Sequence, residues 1–191
     1  MPNISLRNLE RALSKRSSKT PLSNMTTNSP QLCGDIDIRI ASDGTWFYMG
    51  SPFTRQRLVK LFASVLTRDE VGDYWLVTPA EMCRIKVDDA PFTAVELKVQ
   101  GSGRHQELKF RTNIDNYVIA GSKRPIRVPV NELTGEPRPY VKVDDELEAL
   151  IVRSVFYELV ELAEPQELNG ERVLGVWSKE IFFPIGSANN G

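Results

Sequence analysis

Apolar and polar residues alternate along several short stretches of the chain, which is the pattern of half-buried β-strands. The stretch 35–40 alternates isoleucine with polar residues, and the aromatic stretch 46–48 follows it. One face of such a strand is apolar, so this alternation predicts two strands. Asp43 and Gly44 favour a turn between them, and we predict a β-hairpin.

Two helices are predicted where apolar residues recur at spacings of three and four. Thr54 is the predicted N-cap of the first helix, because its side chain can accept a backbone N–H. A second helix is predicted to begin at Asp144, where Asp145 and Glu146 would complement the helix dipole. The apolar face of the first helix would consist of Leu58, Leu61, Phe62, Val65 and Leu66.

Between these helices the pattern is one of strands. Seven strands closed by one helix is the element order of pleckstrin-homology-like barrels, although many sheets share it. The sequence therefore predicts an α+β fold with a mostly antiparallel sheet, whose C-terminal part resembles such a barrel closed by a helix. The seven strands are predicted near 74–78, 83–88, 92–99, 106–112, 116–120, 125–130 and 139–143.

The plan of the first hairpin and helix returns about ninety positions downstream, with alternation at 126–130 and a bend at 133–137. This repetition predicts an internal duplication of a strand-strand-helix unit. We therefore divide the chain into a flexible basic tail, an N-terminal β-hairpin and helix domain, and a C-terminal antiparallel β domain with a helix. Their predicted bounds are 1–31, 32–72 and 73–191.

Composition bounds the class of protein. With 191 residues and 41% hydrophobic content, the chain can bury one sizeable core or two small ones. Segment 1–31 has a net charge of +4 within a total of -1, so the remainder is mildly acidic and does not favour nucleic acid as a partner. There is no apolar membrane span or secretory signal, and we expect a cytoplasmic protein. Residues 4–16 weakly resemble a transit peptide, but a frayed helix is the preferred interpretation.

The few cysteines and the single histidine restrict the chemistry. Cys33 and Cys83 lie far apart in sequence, and we expect reduced thiols, with a disulfide as the alternative. His105 is the only histidine, so a structural zinc site lacks ligands. There is no Gly-x-Ser-x-Gly motif, which argues against a serine-triad hydrolase.

Paired carboxylates offer a metal-dependent alternative. Asp88 and Asp89 are predicted to end one strand and begin a turn, and adjacent strand residues point to opposite faces. Asp35 and Asp37 do share one face of a strand. An enzyme that uses these four carboxylates and a metal therefore remains a third hypothesis, although the prediction is of no metal site and no cofactor.

Two polar stretches could bind a phosphate. The glycine-rich stretch 100–106 either cradles an anion or forms a hairpin loop. In the stretch 109–117, Arg111 could bind a phosphate while Asn113 and Asp115 bond a ribose or base; the alternative is an Asx-type turn. Either Trp46 or Tyr48 could stack on a base, or both could pack in the core.

Several blocks, CGDIDIRIASDGTWFYMGSPFTR, YWLVTPAEMCRIKVDDAPF, FRTN and EPRPYVKVDDELEAL, resemble the bacterial family known as domain of unknown function 1285, over about 32–185. The resemblance implies a duplicated core, a C-terminal domain like pleckstrin-homology folds, and a nucleotide-based ligand between two domains, with a role in signal transduction or oxidative stress. The motif positions that it suggests for ligand binding are Arg39, Trp46, Tyr48, Thr78, Glu81, Arg111, Asn113 and Tyr140.

The leading hypothesis is a non-enzymatic regulatory or ligand-sensing module that binds a small anionic, nucleotide-like molecule in the interdomain cleft. Arg39 and Arg111 would bind phosphate, and Trp46 or Tyr48 would stack. The alternative is a protein-interaction module without a ligand, favoured if the apolar residues of the C-terminal strands are exposed. These residues are Val173, Trp177, Ile181, Phe182 and Phe183.

Overall fold

The computed structural model describes residues 30–187, which form fifteen strands and two α-helices. The chain divides into two compact units, and the division falls between Asp88 and Asp89. The predicted boundary at 72/73 differs from this division, because the strands at 74–77 and 81–87 belong to the first unit's sheet. The predicted tail, 1–31, lies outside the described residues except for its last two positions.

The first unit contains one six-stranded sheet in the order β3-β2-β1-β6-β5-β4. The pair β1 and β6 is parallel, and the other neighbours are antiparallel. Its elements are β1 (Gln31–Ile40), β2 (Trp46–Tyr48), β3 (Ser51–Pro52), α1 (Gln56–Ala63), β4 (Leu66–Arg68), β5 (Tyr74–Val77) and β6 (Glu81–Val87).

The predicted first hairpin is confirmed. β1 pairs with β2 in antiparallel fashion, and the Gly44 N–H donates to the Ala41 carbonyl at 2.9 Å. The first predicted helix also forms, but its N-cap is Arg55, so the prediction of Thr54 as the N-cap was wrong by one residue. Helix α1 ends earlier than predicted, because Leu66 already belongs to β4.

The second unit contains a six-stranded sheet in the order β10-β11-β12-β7-β8-β9 and a three-stranded sheet, β13-β14-β15. Neither helix in residues 30–187 is long and apolar enough to cross a membrane. The elements are β7 (Phe92–Gln100), β8 (Glu107–Thr112), β9 (Tyr117–Ile119), β10 (Ile126–Arg127), β11 (Tyr140–Lys142), β12 (Glu148–Ile151), α2 (Arg153–Glu161), β13 (Glu164–Leu168), β14 (Glu171–Ser178) and β15 (Ile181–Ser187).

The two units are similar, because their six-stranded sheets share one strand order. The order β9-β8-β7-β12-β11-β10 repeats β3-β2-β1-β6-β5-β4, and each sheet has one parallel pair, β12 with β7 and β1 with β6. The six-stranded sheet recurs in the second unit, but the predicted strand-strand-helix unit does not. Helix α1 lies between the third and fourth strands of its unit, whereas α2 follows the sixth.

The stretch VKVDDELEAL does not begin a helix, which corrects the prediction. The Asp144 carboxylate accepts the backbone N–H groups of Glu146 and Leu147, at 3.0 and 2.8 Å, and forms a turn between β11 and β12. Leu147, Ala149 and Ile151 are all buried. Every second residue is therefore buried, which is the period of a strand.

Cys33 and Cys83 form a disulfide that joins β1 to β6, so the expectation of reduced thiols is wrong. The parallel pairing places Gly34 opposite Cys83, and this brings the two cysteines to a Cα–Cα distance of 5.2 Å. That distance is within the ordinary range for a disulfide.

Candidate functional site

Arg39 lies on β1 with its guanidinium bound to the carboxylate of Asp88. Nε donates to Oδ1 at 2.9 Å and Nη2 donates to Oδ2 at 2.5 Å. The hydrogen bonds raise the pKa of Arg39 and hold the pKa of Asp88 below its ordinary value. Phosphate binding by Arg39 would therefore first require the displacement of this carboxylate.

Trp46 and Tyr48 lie on the other face of the sheet from Arg39. Arg39 is opposite Phe47 in the register of β1 and β2, and strand neighbours alternate between faces. Trp46 is 2% exposed and stacks on Phe62 with ring centroids 6.3 Å apart. The core interpretation of Trp46 therefore applies, and the structure does not bring Arg39 together with these two aromatic rings.

Thr78 and Glu81 are brought together, but in a turn. The Thr78 hydroxyl donates to the Glu81 carbonyl and accepts the Glu81 backbone N–H, each at 3.0 Å. Thr78 is 4% exposed. These bonds satisfy the backbone where the chain turns from β5 into β6, so the role visible for Thr78 is structural.

Arg111 and Asn113 lie together at the end of β8 and hold the hairpin that follows. Arg111 forms a hydrogen-bonded ion pair with Glu96, and its Nη1 donates to Asp115 Oδ1 at 3.1 Å. The Glu96 bond raises the pKa of Arg111 and lowers that of Glu96. The Thr93 backbone N–H donates to Asn113 Oδ1 at 3.2 Å. The turn interpretation of this stretch is therefore the one that the geometry supports.

Tyr140 is 6% exposed and lies at the centre of a charged cluster. Its hydroxyl donates to Asp89 Oδ1 at 2.6 Å and accepts from Arg138 Nε at 3.3 Å, while Arg138 also pairs with Asp89. The Arg127 guanidinium covers the ring, with Cζ 4.2 Å from the centroid. Burial and the bond to Asp89 raise the pKa of Tyr140.

A cavity of about 390 Å³ adjoins this cluster through Arg138, and we call it the α2 cavity. Its volume is within the range of sites for small organic ligands. Arg153 is exposed at the first position of α2 and has no ion-pair partner among the residues that the structure describes. The cavity is lined by Glu136, Pro137, Arg138, Pro139, Leu150, Ile151, Arg153, Phe156 and Tyr157.

None of the residues that line the α2 cavity was predicted to bind a ligand. Arg153, Phe156 and Tyr157 have the spacing of three and four that places side chains on one helix face. This spacing is visible in the sequence, but a helix that begins at Asp144 gives no reason to single out these three residues for binding. Arg138 carried no signal, because its partner Asp89 is 49 residues away.

The carboxylates proposed for a metal-dependent enzyme are not gathered at one point. Asp35 pairs with Arg84, with Nε 2.6 Å from Oδ1, whereas Asp88 pairs with Arg39 and Asp89 with Arg138. Three of the four therefore have different guanidinium partners. Across residues 30–187, no group of three or more potential His, Cys, Asp or Glu ligands is arranged to hold a metal ion.

The apolar residues of β14 and β15 do not form the exposed surface that would favour a protein-interaction module. Trp177 and Phe182 are half-buried and contact each other, with ring centroids 5.1 Å apart, and Arg104 lies over Trp177 at 4.7 Å. Phe183 is 5% exposed. Val173 and Ile181 are half-buried as well.

Comparison with solved structures finds two similar proteins. A DUF1285 family protein from Silicibacter pomeroyi DSS-3 is 48% identical with a TM-score of 0.77, and the match covers 84% of this chain and 85% of that one. A DUF1285 family protein from Shewanella baltica OS155 is 22% identical with a TM-score of 0.51, covering 66% and 91%, which shows a shared fold. No curated protein matches the chain.

Two family models match consecutive parts of the sequence. Residues 24–90 match "Domain of unknown function (DUF1285), N-terminal domain", and residues 91–185 match "Protein of unknown function (DUF1285), C-terminal domain". The junction between the two matches lies two residues from the division between the compact units. Together the two models cover most of the chain, which therefore belongs to the DUF1285 family.

Proposed function

We propose that this protein is a non-enzymatic regulatory module that senses a small anionic, nucleotide-like ligand at the α2 cavity. The observation that supports it most is the junction of an unpaired guanidinium, Arg153, with an apolar and aromatic wall. Recognition of a nucleotide needs both features, because the phosphate requires a cation and the base requires a flat apolar surface.

The aromatic wall is available to a planar ring. Tyr157 is 58% exposed, and Phe156 beside it is half-buried. Leu150 and the prolines at 137 and 139 complete an apolar surface. A heterocyclic base that stacked here would cover Tyr157 and remove apolar area from water at little cost in side-chain entropy, because a tyrosine has few rotatable bonds.

The first turn of α2 provides the anionic end of the site. Arg153 occupies its first position, and the N-cap residue Val152 makes no side-chain capping bond. The free N–H groups of this turn and the helix dipole add to the positive charge of Arg153. An anionic group next to Arg153 would therefore meet both the guanidinium charge and the partial positive charge of the helix N-terminus.

Arg138 is the residue whose contacts would change when a ligand binds in the cavity. It lines the α2 cavity and also binds Asp89 and the Tyr140 hydroxyl. A ligand that attracted Arg138 would weaken these bonds at the first residue of the second unit. We propose that this coupling serves signal transduction or a stress response.

The two cysteines and the single histidine are engaged elsewhere, which supports a sensing role over nucleophilic catalysis by these groups. Cys33 and Cys83 are bonded to each other, and His105 is 81% exposed with its Nδ1 2.9 Å from Glu180 Oε1. We also propose that the second unit is a variant of the pleckstrin-homology-like barrel with α2 as its closing helix. The support is that α2 directly follows β12 and buries Val155 and Leu159.

A thermal-shift screen against nucleotides, dinucleotides and cyclic mono- and dinucleotides tests the proposal. A ligand at about one hundred times its dissociation constant adds about 2.7 kcal/mol of stability, which corresponds to a rise in Tm of roughly 5 to 10 °C at this chain length. Arg153→Gln and Tyr157→Ala should abolish the shift, and Arg57→Gln, which removes an exposed arginine of α1, should not. A flat screen, or an equal shift in Arg153→Gln, would refute the proposed site.

A further inference from the structure

A second cavity, of about 480 Å³, lies where three loops of the second unit meet. We call it the hairpin cavity. The loops are the connection between β9 and β10, which contains a tight hairpin turn bridged by Gly121 and Arg124, the turn between β11 and β12, and the turn between β14 and β15. The polar side chains that line it are Ser122, Lys123, Arg124, Asp144, Asp145 and Lys179.

We propose that the hairpin cavity binds the phosphate monoester of a small polyol. The proposal is independent of the α2 cavity, because the two share no lining residue. A phosphate monoester presents charged oxygens at one end and hydroxyl groups at the other. The cavity has groups that suit each end, as follows from the contacts of its arginine and its two aspartates.

Arg124 is held in a position to receive an anion. Its Nε donates to the Val143 carbonyl at 3.0 Å, which orients the guanidinium and leaves its terminal nitrogens without a partner in the described part of the chain. Arginine binds phosphate best through two parallel N–H groups. A guanidinium that is already oriented loses less entropy on binding than a mobile one.

The hairpin itself adds further donors. Gly121 and Arg124 exchange both backbone hydrogen bonds at 3.0 Å, so the N–H groups of Ser122 and Lys123 at the tip have no backbone partner within residues 30–187. Both residues are exposed, and Lys123 forms no ion pair in this part of the chain. Ser122 and Lys123 line the same cavity as Arg124, and together they carry two backbone N–H groups, one hydroxyl and one ammonium group.

The two aspartates differ in their availability, and this difference indicates an ester rather than inorganic phosphate. The Asp144 carboxylate accepts backbone N–H groups of its own turn, from Glu146 and Leu147. Asp145 is exposed, and its carboxylate has no partner among the residues that the structure describes. A free carboxylate repels a bare phosphate but accepts hydrogen bonds from hydroxyl groups, so it favours a polyol ester.

Isothermal titration calorimetry with glycerol 3-phosphate and with inorganic phosphate tests the proposal on the full chain. We expect saturable binding of glycerol 3-phosphate, weaker binding of inorganic phosphate, and a loss of roughly tenfold or more in Arg124→Gln. Arg124→Lys should lose part of the affinity for glycerol 3-phosphate, because lysine keeps the positive charge but lacks the two parallel N–H groups of the guanidinium. Asp145→Asn should increase the affinity for inorganic phosphate and reduce the preference for the ester over inorganic phosphate.

Controls separate this site from general charge effects and from misfolding. Arg57→Gln should bind as the wild type does, and the thermal melting of Arg124→Lys and Lys123→Gln should match that of the wild type. A comparison of free glycerol 3-phosphate with vesicles of phosphatidylcholine and phosphatidic acid distinguishes a soluble ester from a lipid headgroup. In either of these two arms, binding that depends on Arg124 supports the site. Absence of binding in both arms, or equal loss in Arg57→Gln, would overturn the proposal.

Discussion

Cys33→Ser is expected to lower the free energy of unfolding by about 4 kcal/mol. The disulfide joins residues separated by 50 positions, and in the chain-entropy treatment a loop of that length restricts the unfolded state by about 4 kcal/mol at 25 °C. The strands on each side are hydrogen-bonded independently of the disulfide, since β1 pairs with β6 along several residues. The loss should therefore arise mainly in the unfolded chain.

Urea denaturation followed by tryptophan fluorescence measures this loss, because Trp46 and Trp75 both lie in the first unit. Three samples are compared: the oxidised wild type, the wild type with a reductant, and Cys33→Ser. Cys33 is the better position to change, since Cys83 is 1% exposed and a serine there would bury a hydroxyl group. In thermal melts the same loss should appear as a decrease in Tm of roughly 8 to 16 °C.

The control is that Cys33→Ser should not respond to the reductant. Titration of thiols in the unfolded wild type should find none before reduction and two after it, since both cysteines are in the bond. Two reactive thiols before reduction, or equal stability of the oxidised and reduced wild type, would refute the reasoning.

Three further predictions concern the core and the ion pairs. Tyr140→Phe removes a hydroxyl that bonds both Asp89 and an arginine, and should cost about 1–3 kcal/mol, whereas Tyr117→Phe, at a tyrosine that is 49% exposed, should cost little; urea denaturation compares them. Phe62→Ala, at 0% exposure, should cost about 3–5 kcal/mol in the same assay. Folding lowers the pKa of Asp88, because the carboxylate binds Arg39. The contribution of Asp88 to the free energy of unfolding is therefore fully present above its unfolded pKa of about 4, and it is lost as the pH falls through the lower pKa of the folded state. Urea titrations at decreasing pH should accordingly show a weaker acid-induced loss in Asp88→Asn.

Local pattern was sufficient for most of the strands. The seven strands predicted between the helices all form, six of them close to their predicted bounds, whereas the strand predicted at 125–130 is shortened to Ile126–Arg127. The strands β3, β4, β12 and β13 were not predicted. At β4, the apolar residues Val65 and Leu66 continued the helical spacing after Ser64 had ended α1. At β12, acidic residues that would suit a helix start form a turn instead, and the residues after them alternate in burial as a strand does.

Strand neighbours and the disulfide depended on long-range pairing that the sequence pattern does not encode. Alternation shows that one face of a strand is buried, but it does not identify the strand beside it. The parallel pairs β1 with β6 and β7 with β12 each join strands with several others between them in sequence. Since Cys33 and Cys83 meet only through the first of these pairs, their bond could not be predicted without it.

The candidate sites could not be predicted for a related reason, which concerns the partners of each charge. Arg39 and Arg111 each have a carboxylate in contact, from residues 49 and 15 positions away. Exposed ion pairs contribute little to stability, but a phosphate that binds such an arginine replaces one anion with another, so the gain is only the difference between them. Arg124 and Arg153 have no carboxylate bound to the guanidinium in the described part of the chain, so a ligand there displaces water rather than another anion. Availability of the guanidinium, rather than its position in a motif, therefore identifies the better sites for an anionic ligand in this protein.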